Sequence, residues 1–225
     1  MTNNKKEPDK FKIKGKPKYI KIGDEYNFFE LFKKIQLNFK NCFLFESLGE
    51  ESNISRYHII GFDPKYLIFS ESRNELKIED IDKGEINTYE CENPYYKLRD
   101  IIPQNVISKK YAGGLVGFVS YDGFNYFENN LNIKKNPDFE SFKFGLYLDG
   151  LIYDQMTGEI FYYYYEDNKI EKIKSIINQN NHNSPRVSCK FLKNSMTRDM
   201  HKNTVLKIKT HGLAYPISTT VSTIE

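Results

Sequence analysis

Hydrophobic positions recur along this chain with two different periods. KYIKI (18–22) alternates like a strand, and residues 24–40 then carry Phe28, Phe29, Leu31, Phe32, Ile35 and Leu37 at helical spacings, which predicts an amphipathic helix. Five strand-like runs follow in quick succession: CFLFE (42–46), RYHIIG (56–61), YLIFS (66–70), ELKIE (75–79) and INTYE (86–90). Asp-Pro, Arg-Asn and Lys-Gly turn chemistry separates them, so the pattern predicts an antiparallel meander.

PYYKLRDII (94–102) opens with proline at a first helical position and stops before Pro103, the signature of a short helix. YAGGLVGFVSYD (111–122) is apolar but holds three glycines, which weaken a strand and point to a close backbone approach or a bulge. FKFGLYLDGLIYD (142–154) alternates, turns at Met-Thr-Gly and returns as EIFYYYY (159–165), a hairpin. Residues 169–177 form a short helix candidate, and NQNNHNSPR (178–186) has linker composition. Thr197 is placed to cap a helix reaching about residue 209. The expected fold class is α+β, mostly antiparallel sheets packed with a few helices. Three segments are expected: a disordered basic arm (1–17), a main domain (18–180), and a linker with the start of a further domain (181–225), whose last stretch GLAYPISTTVSTIE carries no closing element.

Composition narrows the functional classes. With 225 residues, 39% hydrophobic and 28% charged, the chain suits one large or two small globular domains. The net charge of +3 is uneven, because the first 22 residues hold eight lysines against Glu7 and Asp9 and leave the remainder negative. A nucleic-acid arm would use such charge, but the interleaved acids, Pro and Gly and the lack of arginine favour a solvated terminus. No apolar run spans a membrane and no signal peptide is evident, so a cytoplasmic protein is expected. Cys42, Cys91 and Cys189 are widely spaced and read as packing residues, and the four histidines show no metal-binding spacing.

Nucleotide-binding and nucleophile motifs are missing; GGLVG (113–117) has the wrong spacing for a dinucleotide fingerprint. The more promising stretch is FLFESLGEESNISRYHIIG (43–61), where Glu46 and Ser47 end one apolar run and Arg56 begins the next. A two-stranded ribbon with polar ends brings an acceptor, a hydroxyl and a guanidinium to one edge. These groups suit an amino acid: Glu46 or backbone carbonyls for the ammonium, Ser47 for polar contacts, Arg56 for the carboxylate. The plainer alternative is a strand end held by a salt bridge to Arg56.

CFLFESLGEESNISRYHIIGFDP (42–64) resembles the first N-terminal signature of anthranilate synthase component I, a Leu-Leu-Glu-Ser segment followed by a Gly-Arg-Tyr-Ser-like strand, glycine and Asp-Pro. YAGGLVGFVSYDGFNYFE (111–128) resembles the second, a Gly-Gly-x-Val-Gly-Tyr run with Tyr-Asp and a Tyr-Phe-Glu ending. The resemblance implies a chorismate-utilising enzyme of tryptophan biosynthesis that is inhibited by tryptophan. Its inhibitor site maps onto Phe45, Glu46 and Ser47, with Arg56 nearby; Phe45 and His58 stand where the family more often has Leu and Ser. It also implies magnesium and a glutamine amidotransferase partner for the whole enzyme. In the family the catalytic residues lie downstream of the matched region, so no catalytic residue is expected here and a truncated chain is the expectation. Two rivals are the aminodeoxychorismate synthase component of folate synthesis and a non-catalytic tryptophan-binding or interaction module.

Overall fold

The computed structural model describes residues 7–23, 26–47, 55–102, 108, 110–128, 132–179 and 196–210. Residues 1–6 of the arm, the Glu50–Glu51 turn, most of the Asn-rich linker, Cys189, His182, His211 and the last 15 residues lie outside these. The chain divides into two units, Met1–Asn181 and His182–Glu225.

In the first unit, strand β1 (Lys18–Gly23) leads to helix α1 (Phe28–Asn38). The Asn27 side chain starts the helix by accepting the Glu30 N–H at 3.1 Å. One face buries Phe28, Leu31 and Ile35, while Phe29 and Leu37, counted above with the apolar stripe, are exposed. Strands β2 (Cys42–Phe45) and β3 (Tyr57–Phe62) form an antiparallel pair. Strands β4 (Tyr66–Ser70), β5 (Glu75–Asp80) and β6 (Glu85–Glu90) follow, then helix α2 (Pro94–Ile101) and strand β7 (Gly114–Val119). A 3-10 turn (Tyr121–Tyr126) precedes β8 (Phe142–Tyr147), β9 (Asp149–Asp154) and β10 (Glu159–Tyr164), and helix α3 (Ile170–Ile177) closes the unit.

These strands build two five-stranded antiparallel sheets, in the orders β1-β10-β9-β3-β2 and β6-β5-β4-β8-β7. The α+β class expected from the sequence is thus observed, but two connections differ. The five-run meander is broken after β3. There Asp63 takes a left-handed φ of 53° and Pro64 offers no N–H, so the strand cannot continue, and the chain re-pairs in the second sheet through Lys65 N–H to the Leu146 carbonyl at 2.9 Å. Likewise, 142–154 is two strands: β8 pairs with β4 and β7, whereas β9 pairs with β3 and β10, and Leu148 is the crossing residue. Only its β9–β10 half forms the expected hairpin.

Each sheet has its own helical cover. Phe28, Leu31 and Ile35 of α1 and Ile173 and Ile176 of α3 pack on Ile60, Leu151 and Tyr162 of the first sheet. Leu98 and Ile101 of α2 pack on Ile68, Leu76 and Phe142 of the second. Cys42 and Cys91 sit against these two cores. Between the sheets, Phe43 meets Tyr147 edge-on at 4.9 Å and Tyr111 meets Tyr163 at 5.7 Å. The second unit contributes helix α4 (Arg198–Thr210), started by Thr197, whose hydroxyl accepts the Met200 N–H at 3.2 Å. Its Met200, Leu206 and Ile208 are exposed.

Candidate functional site

The polar stretch singled out in the sequence lies where β2 and β3 part. Phe45 pairs with Ile59, and beyond it the chain leaves the strand at Glu46 and Ser47. Successive residues on β2 face opposite ways. Cys42 and Leu44 pack toward the helices, while the Phe43 ring lies toward Tyr147 of the other sheet and tilts against Phe45 at 4.7 Å. The Glu46 carboxylate, which approaches His58 beside Phe28 of α1, lies on the helix side.

The contacts follow this division. The Glu46 carboxylate lies 3.7 Å from His58 Nδ1, and the His58 ring is enclosed by Phe28 of α1 and Tyr153 of β9, both edge-on, with its Nε2 against the Gln155 side-chain amide. Arg56 instead turns to Asp154, at the end of β9. Its Nε donates to Oδ1 at 2.9 Å and its Nη2 to Oδ2 at 2.7 Å, a bidentate pair. The guanidinium stands 5.1 Å from the centre of the Tyr57 ring, and the Arg56 carbonyl accepts the Gln155 N–H. Asp154 also accepts the Met156 N–H at 3.2 Å, which fixes the β9–β10 turn. The Arg56 hydrogen bonds hold the Asp154 carboxyl below the usual carboxylate range, against an opposing contribution from burial.

The acceptor, hydroxyl and guanidinium therefore share one strand end without converging through their side chains. Glu46 approaches His58 without a hydrogen bond to it, whereas Arg56 is paired with Asp154. The salt bridge foreseen at Arg56 exists, with a partner 98 positions away that no local spacing signals. Phe45 remains half exposed beside Ser47 and presents an aromatic surface at this edge.

A second charged cluster has no local signature in the sequence. Lys169, just before α3, places its ammonium 2.8 Å from Asp63 and 2.9 Å from Asp149. Asp63 belongs to the β3–β4 crossing and Asp149 follows the β8–β9 crossing, so one cation ties together both places where the chain changes sheets. Burial pushes the Asp149 carboxyl up to about 6 despite Lys169. The two carboxylates raise the Lys169 ammonium, outweighing its own burial. A concavity of about 630 Å³ lies elsewhere, over the end of β6 and the start of α2, and none of Phe45, Glu46, Ser47 or Arg56 lines it.

The described residues contain no group of three His, Cys, Asp or Glu side chains able to hold a metal ion, and no helix long and apolar enough to cross a membrane. No family model matches the chain. Among curated proteins, component 1 of anthranilate synthase from Leptospira biflexa is 39% identical over 201 residues, covering 87% of this chain and 42% of that protein. Component 1 from Methanothermobacter thermautotrophicus is 34% identical over 152 residues, covering 67% of this chain and 32% of that protein. A crystal structure of anthranilate synthase component I from Streptococcus pneumoniae TIGR4 matches 58% of this chain and 30% of that one, with a TM-score of 0.41 and 22% identity. The chain spans less than half the length of the curated relatives it matches. By the sequence it shares with them, the chain belongs to the anthranilate synthase component I family.

Proposed function

We propose that this chain forms the effector-binding part of an anthranilate synthase component I and that tryptophan binds at the parting of β2 and β3. The carrying observation is the 39% identity over 87% of the chain to a protein of that name. In support, the half-exposed Phe45 ring and Ser47 follow one another at the strand end, and Arg56, just before β3, is held by a bidentate pair with Asp154. In this reading Ser47 and nearby backbone groups meet the polar end of the amino acid and Phe45 meets its ring. Glu46 turns the other way, toward His58.

The whole protein would convert chorismate and ammonia to anthranilate and pyruvate, with ammonia delivered by a glutamine amidotransferase subunit. This chain's share is binding and regulation. The magnesium implied by the family finds no fitting ligand set among the described residues, so no step here is routed through it. The relatives' names favour the anthranilate branch over the folate branch. Calorimetric titration of the chain with L-tryptophan tests the proposal: saturable binding is expected, weakened about tenfold or more by Ser47→Arg. Absence of binding, or binding indifferent to that substitution, overturns it.

A further inference from the structure

The four outer strands of the two sheets are protected unequally. An outer strand offers unpaired backbone groups to any extended segment, and proteins usually blunt it with charge, proline, shortness or a bulge. Strand β1 carries Lys18 and Lys21 and a bulge before Gly23; β2 has four residues; β6 has Glu85 and Glu90 at its ends. Strand β7, GLVGFV, has six residues with no charge, no proline and an unbroken register to β8. Among the described residues no strand pairs with its other edge.

The register shows which groups that edge presents. Ser120 N–H donates to the Ser141 carbonyl at 3.0 Å, in line with the β7–β8 ladder. Antiparallel bonding alternates along a strand, so Val116 and Phe118 also bond inward, while Leu115, Gly117 and Val119 point their N–H and C=O groups outward. A two-fold axis through Gly117 then pairs Gly117 with its copy and Leu115 with the copy's Val119, every outward group meeting an outward group. Side chains match as well: Leu115 lies beside Val119 on one face and Val116 beside Phe118 on the other. No charge is buried in that register.

We infer that β7 is the seam of a two-fold dimer of this chain, joining the two β7-edged sheets into one continuous antiparallel sheet. Apolar surface next to the seam fits this occupant. Phe118 and Val119 are each about 40% exposed, Phe124 and Phe139 more than half, and Tyr121 78%. Phe118 stands edge-on to Phe139 at 6.4 Å and Tyr121 lies 6.2 Å from Phe124. With roughly 200 Å² per aromatic side chain, these residues offer on the order of 500 Å² per copy before the ladder is counted. A standard interface buries about 800 Å² per partner, so strand and patch together reach the scale of a stable dimer.

The test is sedimentation velocity of the full chain from low micromolar to several hundred micromolar, with amide hydrogen exchange at both ends of that range. The expected result is a shift from 26.6 kDa toward twice that mass. Amides of Leu115, Gly117 and Val119 should gain at least about tenfold protection with concentration, while those of Val116 and Phe118 stay unchanged. Phe118→Lys and Val119→Lys, both at exposed positions, should each weaken association at least about tenfold with unchanged circular dichroism. A chain that stays monomeric, a dimer whose three outward amides gain no protection, or association indifferent to both substitutions overturns the inference. The last result would assign association to another surface, such as the exposed apolar residues of α4.

Discussion

Gly113→Ala is a sharp test of why the glycine-rich second signature is built as it is. Gly113 sits at φ +80°, and a Cβ there would overlap the Tyr147 carbonyl oxygen and approach Tyr163 Cε2 to 3.2 Å. Tyr147 ends β8, and Tyr163 is fully buried in β10, so neither neighbour can easily withdraw. The left-handed conformation costs an alanine about 1–2 kcal/mol. Crowding against packed neighbours adds about 1–3 kcal/mol, and the stiffer unfolded chain returns about 0.4–1 kcal/mol. The expected net loss is about 2–4 kcal/mol, a large share of the roughly 5–15 kcal/mol that stabilises a typical protein. Gly84→Ala is the control: φ is +67° in the β5–β6 turn and a Cβ would meet open space, so only the conformational cost applies, about 1 kcal/mol or less after the same correction. Urea unfolding followed by circular dichroism measures both variants. Equal losses, or a Gly113→Ala loss below about 1 kcal/mol, would refute the claim that close backbone approach is what this glycine serves.

Two aspartates on β9 should give opposite pH slopes. The raised Asp149 carboxyl keeps its proton in the folded chain up to about 6. Its contribution to stability is therefore present below the ordinary carboxylate range and lost as pH rises through about 6. Unfolding free energies measured across that window should fall by up to about 3 kcal/mol relative to Asp149→Asn, and a parallel pH course would exclude this role. The Asp154 carboxyl is lowered by Arg56, so its stabilisation is present at neutral pH and lost on acidification below the ordinary carboxylate range; Asp154→Asn should flatten the acid limb of the same profile. Asn93 accepts the N–H groups of Tyr95 and Tyr96 at 3.1 Å and donates to the Tyr126 carbonyl at 2.8 Å, so Asn93→Ala should cost about 1–2 kcal/mol in denaturant unfolding. A loss below about 0.5 kcal/mol would show that α2 does not depend on this cap.

Helices and strands were legible where one period held over a whole element. Pro94 at the start of α2 and Thr197 before α4 are local signals that the structure uses as expected. The change of sheet at Leu148 leaves a trace in the order of apolar residues. Phe142 and Phe144, which face the second core, are even-numbered, whereas Leu151 and Tyr153, which face the first, are odd-numbered, so the parity reverses across Leu148. The crossing at Asp63–Pro64 looked like an ordinary turn, because both a hairpin turn and a change of sheet need a residue that stops pairing. At the candidate site, the strand end is readable from Glu46 and Ser47 after an apolar run, but Asp154 and Lys169 are not. Asp154 meets Arg56, and Lys169 meets Asp63, across about a hundred residues, and such pairings arise from topology rather than spacing.

The most direct test of the central claim, that tryptophan binds where β2 and β3 part, is an amide chemical-shift footprint of L-tryptophan on the isotopically labelled chain. The account predicts saturable shifts centred on Phe45, Glu46, Ser47, Arg56 and Tyr57, with β5 and β6 unaffected. Shifts centred on the open cleft beside Asn93 and Lys97, or no saturable shifts at all, would contradict it.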